Sequence, residues 1–258
     1  MIDMKNAKKE FQNYVSNYNP DDPHVKIKIA HIGRVTDIAR KTAEYLNLSK
    51  DDVNLAELIG LLHDIGRFEQ VRRYHTFLDK KSVNHGKLGV QILFEDGLIR
   101  KFVKDNQYDE IIKIAILNHN CLKIEDGLSE RELLHAKLIR DSDKTDIFYS
   151  LITDDIQAIY GKPDISDEQI SDEIYREFIE EKRINYNNMQ TGADILVSHF
   201  AYIFDFNYIY GLEIFEKNQY VEKLYKRFHF NNPETNKRYN EIFRQSKEYM
   251  LKKLQEKE

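Results

Sequence analysis

An all-α fold follows from two features of this chain. Gly and Pro are rare, ten and four in 258 residues, and stretches of alternating polarity are scarce. Apolar residues instead recur every three to four positions, the helical period. A hydrophobic fraction of 41% is enough for a core, and 32% charged residues suit a solvated surface. The length admits one large domain or a core with an appended subdomain.

Start and stop signals divide the chain in order. The segment 1–24 carries an N-terminal helix that stops at the turn Pro20-Asp21-Asp22-Pro23, ahead of a helix near 25–46. Ser49 stands three residues before Asp52 with capping-box spacing and starts a helix ending at Gly66. Asn84 caps a helix to about Phe94, stopped by Asp96-Gly97, and 107–119 form another with Ile111, Ile112, Ala115 and Ile116 on one face. Ser129 with Glu132, and Ser166 with Gln169, have the spacing of capping boxes, the first for a long helix reaching Asp154. Asn232-Pro233 places a cap and an N1 proline before the last helix. A composition change near residue 155 separates a core, 25–154, from a C-terminal helical subdomain, 155–258, of no assignable role. The aromatic-rich segment 194–215 reads as helix packing, and His75, His135, His199 and His229 as surface or packed imidazoles.

Bulk numbers exclude several functions. A net charge of −5, with no concentrated basic stripe carrying interleaved aromatics, argues against a nucleic-acid partner. The single cysteine, Cys121, rules out an internal disulfide and a thiolate-rich metal site, and offers no thiolate mechanism. The N-terminus turns polar at once, and the longest apolar stretch, Ile195 to Phe204, falls far short of the ~20 residues that span a membrane. The expectation is a soluble cytoplasmic protein with no membrane partner. A homo-oligomer is left open. Neither a Gly-rich phosphate loop nor a nucleophile elbow is present.

The chemistry concentrates at His63-Asp64. The pair closes the apolar run Leu58-Ile59-Gly60-Leu61-Leu62 and is followed by Ile65-Gly66-Arg67. A histidine beside a carboxylate at the end of a buried helix has one common use, holding a metal ion. Asp143 shares a stripe with Ala136, Ile139 and Ile147, where a carboxylate is costly unless paired or metal-bound. Asp141 shares a face with Lys137 and reads as solvated, while Asp146 is spaced to support Asp143. His119 lies on the stripe of Ile112, Ala115 and Ile116, and His85 begins one continued by Leu88, Gly89 and Ile92. His31 lies with Val35, Ile38 and Thr42. Histidines on four such faces, taken with Asp64 and Asp143, point to one interior site.

These contexts resemble the HD-domain superfamily of metal-dependent phosphohydrolases, whose signature is an ordered H…HD…D on separate helices. The matching segments are Lys28-Ile29-Ala30-His31-Ile32-Gly33-Arg34-Val35, Leu61-Leu62-His63-Asp64-Ile65-Gly66-Arg67 and Asp141-Ser142-Asp143-Lys144-Thr145-Asp146, together covering about 25–150. The resemblance implies an HD-domain helical bundle with a C-terminal helical extension. It also implies one ion on His31, His63, Asp64 and Asp143, with Asp64 bridging to a second ion completed by His85 and His119. Asn118 and Asn120 flank His119, so the double histidine of the cyclic-dinucleotide-degrading branch is missing, as is its Gly-Tyr-Pro element. Arg67 and Phe68 stand where the alarmone hydrolases extend the motif to HDxxED.

Nitrogen and carboxylate ligands without thiolate favour one or two divalent Mn, Fe, Co, Ni or Zn ions. Such ions bring a bound water towards a pKa of ~7, which suits hydrolysis of a phosphomonoester or phosphodiester in a small metabolite or nucleotide. Asp64, Arg67 and Lys144 are the expected catalytic residues, and Arg67, Arg72 and Lys144 the expected contacts to a phosphorylated substrate. Glu69 is a further candidate for orienting water. Two other readings stay open: a diiron oxygenase of the same superfamily, and a non-catalytic HD module that binds a nucleotide.

Overall fold

The computed structural model describes residues 2–256, and among them it contains helices and no strand. None of these helices is long and apolar enough to cross a membrane. The chain folds as two compact units, Met1–Asp143 and Lys144–Glu258. The division lies inside a helix, upstream of the composition change near residue 155.

The first unit contains α1 (Met4–Val15), α2 (Pro23–Tyr45), α3 (Lys50–Leu62), α4 (Gly66–Tyr74), α5 (His85–Val90), α6 (Ile99–Phe102), α7 (Asp109–Asn118) and most of α8 (Glu130–Thr153). Their starts follow the capping chemistry. The side chains of Asp3, Asp22, Ser49 and Asn84 accept from backbone N–H groups in the first turns of α1, α2, α3 and α5. At α8 the Ser129 amide donates to Glu132 Oε2 at 2.8 Å and the Glu132 amide to Ser129 Oγ at 3.4 Å, a closed capping box. One core joins Phe11 and Val15 of α1 to Val35, Leu58, Phe68, Ile112 and Ile139.

Two glycines set how the site is assembled. A Cβ on Gly60 would lie 2.9 Å from Thr36 Cα, so α2 and α3 cross at a distance that only glycine permits there. A Cβ on Gly66 would lie 2.3 Å from His85 O and 2.7 Å from Gly89 N, so the start of α4 rests on the backbone of α5. The expected helix from Ser49 to Gly66 is therefore two. It stops at Leu62, turns through His63-Asp64-Ile65, and restarts at Gly66. The turn lets Gly66 reach α5, which a straight continuation would not. The helix expected from Asn84 to Phe94 changes to a wider π-helical turn over Gln91–Glu95.

The second unit contains the end of α8, α9 (Ile156–Tyr160), α10 (Asp172–Ile179), α11 (Gly192–Phe200), α12 (Ile209–Asn218), α13 (Tyr220–Arg227) and α14 (Pro233–Gln255). α14 packs against α10, α11, α12 and α13. Its core is aromatic, with Phe148 on Phe215 at 4.4 Å between ring centroids, and Phe200 and Phe230 around Tyr239. The aromatic segment 194–215 thus supplies packing through Phe200 and Phe215. No helix starts at Ser166 as its spacing with Gln169 had suggested. The Ser166 amide and hydroxyl both donate to Asp164, and the helix begins only after Ser171. Asn232 caps α14 by accepting from the Thr235 amide at 3.0 Å, with Pro233 in the first turn.

Candidate metal centre

Each predicted ligand is delivered by a helix of the first unit. His31 sits mid-way along α2, His63 and Asp64 in the turn closing α3, His85 at the first residue of α5, His119 at the end of α7, and Asp143 on α8. The close crossing of α2 and α3 brings His31 beside His63, ring centroids 5.4 Å apart. The seat of Gly66 on α5 brings His85 to the carboxylate of Asp64.

The six side chains converge. His31 Nε2 lies 3.5 Å from Asp64 Oδ2 and 3.2 Å from Asp143 Oδ1, and His63 Nε2 lies 3.7 Å from each of those oxygens. On the other side of Asp64, its Oδ1 lies 3.3 Å from His85 Nε2 and 3.6 Å from His119 Nε2. Donor atoms of His31, His63 and Asp64 fall within 4.8 Å of one another, as do those of Asp64, His85 and His119. Ligands about 2.1 Å from a common ion stand roughly 3–4 Å apart, so both sets have the span of a coordination sphere.

Protonation supports the same arrangement. His63 Nδ1 meets Gly60 O at 2.8 Å and His119 Nδ1 meets Ile116 O at 2.6 Å. A carbonyl only accepts, so Nδ1 carries the hydrogen in both, and Nε2 is the atom turned towards the cluster. His85 Nδ1 likewise meets the Asp79 carboxylate at 2.8 Å. The Nε2 atoms of His85 and His119 then face each other at 2.9 Å. Burial, followed by the Arg67 charge, pushes the His85 imidazole down to about 3, so with its hydrogen on Nδ1 the ring offers Nε2 as an acceptor near neutral pH. Buried His63 Nε2 and Asp64 Oδ1 also make no hydrogen bond. Buried polar atoms left so are costly. Divalent cations on the two sides of Asp64 would satisfy them, and the residues present fit such ions.

Burial opposes ionisation of Asp64, but Lys28 and His63 outweigh it and hold the carboxyl well below the usual carboxylate range. Asp143 is held well below that range too, its burial outweighed by the neighbouring His31 and His63 imidazoles. Both carboxylates are charged, as ligands must be.

The predicted cations are placed differently from one another. Arg67 Nε lies 3.6 Å from Asp64 Oδ1, while its Nη1 donates to Gln70 Oε1, Phe77 O and Asp79 Oδ1. Arg72 is exposed, paired with Glu69 at 2.6 Å and lying over the Tyr18 ring. Glu69 holds Arg72, Arg73 and Tyr18, and neither it nor Arg72 is brought to the six ligands. Lys144 belongs to the second unit, where its amine donates to the carboxylate and backbone oxygen of Asp205. Asp141, expected to be solvated, is buried, because Arg140 to Ser142 and Lys144 to Asp146 are all buried and this stretch of α8 has no solvent face.

Three residues at the site had been passed over. Lys28 Nζ donates to Asp64 Oδ2 at 2.7 Å. Its place three residues before His31, one helical turn along α2, was the available signal. Asp79 holds His85, Arg67 and Gln70, and its carboxyl is lowered to about 2, burial being overcome chiefly by His85 and Arg67. Arg140 donates to Asn118 O at 2.7 Å and Cys121 O at 2.6 Å, closing the end of α7 around His119. Only long-range geometry reveals these last two.

The family model described as HD domain matches residues 29–147. No curated protein and no solved structure matches the chain. The matched span runs from the first predicted ligand helix past the last ligand, and contains His31, His63, Asp64, His85, His119 and Asp143. Over residues 29–147 the chain is similar to HD domains.

Proposed function

We propose that this protein is a metal-dependent phosphohydrolase acting on a small phosphorylated metabolite or nucleotide. The observation that carries the reading is the set of six side chains converging through Nε2 and carboxylate oxygens on two adjoining positions that share Asp64. His31, His63, Asp64 and Asp143 would hold one divalent ion, and Asp64, His85 and His119 a second. Bound there, such ions supply a water acidic enough to lose its proton near neutral pH, and positive charge for phosphate oxygens.

The chain's own contribution is orientation and charge. Gly60 O, Ile116 O and Asp79 fix the histidine rings with Nε2 inward. Lys28 and Arg67 flank the two oxygens of Asp64, at 2.7 and 3.6 Å. Cations on both sides of the shared carboxylate favour an anionic substrate. Lys28 is the first choice for a phosphate oxygen, while Arg67 acts mainly as a brace, three of its acceptors being protein groups.

The test is turnover of a panel of phosphomonoesters and phosphodiesters with Mn²⁺, Co²⁺ or Fe²⁺, comparing wild type with His63→Ala, and oxygen uptake as a control. Phosphate release by wild type, lost in the variant while the far-ultraviolet helical signal stays, is the expected result. Equal phosphate release by both proteins would sink the reading. Iron-dependent oxygen uptake without phosphate release would replace it with the oxygenase.

A further inference from the structure

The histidines of the cluster are not oriented alike. His63 and His119 each stand at the end of a helix, and their Nδ1 atoms donate to carbonyls three residues back, Gly60 O and Ile116 O. That orientation comes with the helix itself. His85 is the first residue of α5, so the residue three back, Ser82, lies outside the helix. Its Nδ1 partner must come from elsewhere, and it is the carboxylate of Asp79, at 2.8 and 3.0 Å to the two oxygens.

Asp79 lies in the segment 76–84 between α4 and α5 and is itself held from several directions. Gln70 Nε2 donates to Asp79 Oδ1 at 2.9 Å, and also to Ser82 Oγ and Val83 O. Arg67 Nη1 donates to the same oxygen at 3.0 Å, and Asn120 Nδ2 approaches Oδ2 at 3.3 Å. A carboxylate fixed by three neighbours fixes the imidazole in turn, with the hydrogen on Nδ1 and the lone pair of Nε2 directed at His119 Nε2 and Asp64 Oδ1. A carboxylate partner also makes the imidazole a more basic ligand than a carbonyl does.

We propose that Asp79 is the positioning residue that creates the second ion's place, so that without its charge the centre holds one ion instead of two. This rests on the metal reading above. Asp79 touches neither ion in this scheme; it acts through His85. The first place, on His31, His63, Asp64 and Asp143, has no contact with Asp79 and keeps its affinity.

The experiment titrates Mn²⁺ into metal-free wild type, Asp79→Asn, Asp79→Glu and Gln70→Ala. Stoichiometry is read by elemental analysis, each affinity by chelator competition, and pairing of the ions by the exchange-coupled electron-spin-resonance signal. Wild type is expected to bind two ions per chain. Asp79→Asn is expected to bind the second about 10–100-fold more weakly and to lose the coupled signal, the first affinity being unchanged. Asp79→Glu restores the coupled signal. Gln70→Ala loosens the segment 76–84 without removing the carboxylate, and keeps both ions. Two ions at wild-type affinity in Asp79→Asn overturn the assignment and leave the metal reading intact. Loss of the second ion in Gln70→Ala as well would assign the effect to the whole segment and overturn it too. A wild type that binds no ion overturns both.

Discussion

Two buried carboxylates, one in each unit, are treated in opposite ways. Asp194 in the second unit is saturated: its oxygens accept from the Ser171 amide and hydroxyl at 2.8 and 2.7 Å, the Gln190 amide at 3.0 Å and the Thr191 amide at 3.3 Å. Asp64 in the first unit has one oxygen on Lys28 and another, Oδ1, that makes no hydrogen bond. The Nε2 atoms of His85 and His119 and, at 3.6 Å, Arg67 Nε surround it where backbone amides bind Asp194. A buried charge supplied with hydrogen-bond donors holds a fold together, and one left short of them can take a cation. Burial alone does not tell the two apart; the identity of the surrounding atoms does.

The sharpest way to break this comparison is to neutralise each carboxylate in turn. Asp64→Asn is expected to remove all measurable phosphoester turnover while the metal-free protein melts close to wild type. Asp194→Ala is expected to do the reverse. It strands several buried donors and costs about 3–4 kcal/mol of unfolding free energy in a urea titration. Phosphoester turnover per folded molecule stays. A wild-type rate in Asp64→Asn, or an unshifted urea midpoint in Asp194→Ala, would erase the distinction.

Smaller in size, and specific to the first unit, is the effect of the ion itself. A cation bound only by the folded protein stabilises it by about 2.7 kcal/mol at a hundred times its dissociation constant. Wild type should therefore melt higher with saturating Mn²⁺, and His63→Ala should respond far less. Calorimetry with and without a chelator checks this, and an equal response in both proteins would remove His63 from the ligand set.

The helices and the ligands differ in how far they could be read in advance. Caps such as Ser49, Asn84, Ser129 and Asn232 act within one turn, so the sequence shows them directly. Ser166 has the same spacing yet starts no helix, because Asp164, two residues away, takes its amide and hydroxyl. The break at His63 was not visible, since its cause is the backbone of α5, about twenty residues on. The four histidines and Asp143 were legible because each sits on an apolar face where such a group needs a partner. Asp79 was not, because it belongs to a loop and its value comes from His85 and Arg67. Lys144 stood out by following Asp143, but chain adjacency did not give its partner, which is Asp205 in the second unit. Periodicity reports which face a residue takes, whereas the atoms it meets depend on residues far off in the chain.

Lys28 sharpens the comparison at the smallest scale. Asp64 Oδ2 takes a hydrogen bond from this amine, which is largely buried beside Phe77, with 5.3 Å from Nζ to the ring centroid. If Lys28 served only to neutralise Asp64, Lys28→Met would destabilise the protein and weaken everything that depends on the carboxylate. In the proposed site it instead opposes the incoming ion and attracts the phosphate. The two effects have different signs. Lys28→Met is then expected to bind the first Mn²⁺ roughly tenfold more tightly, a change of about 1.4 kcal/mol, while KM for the phosphoester rises by a similar factor. Chelator competition and steady-state kinetics on the same preparation read both. Weaker metal binding in Lys28→Met would make the lysine a structural counter-ion, and would leave Asp64 closer in kind to Asp194 than its half-empty surroundings imply.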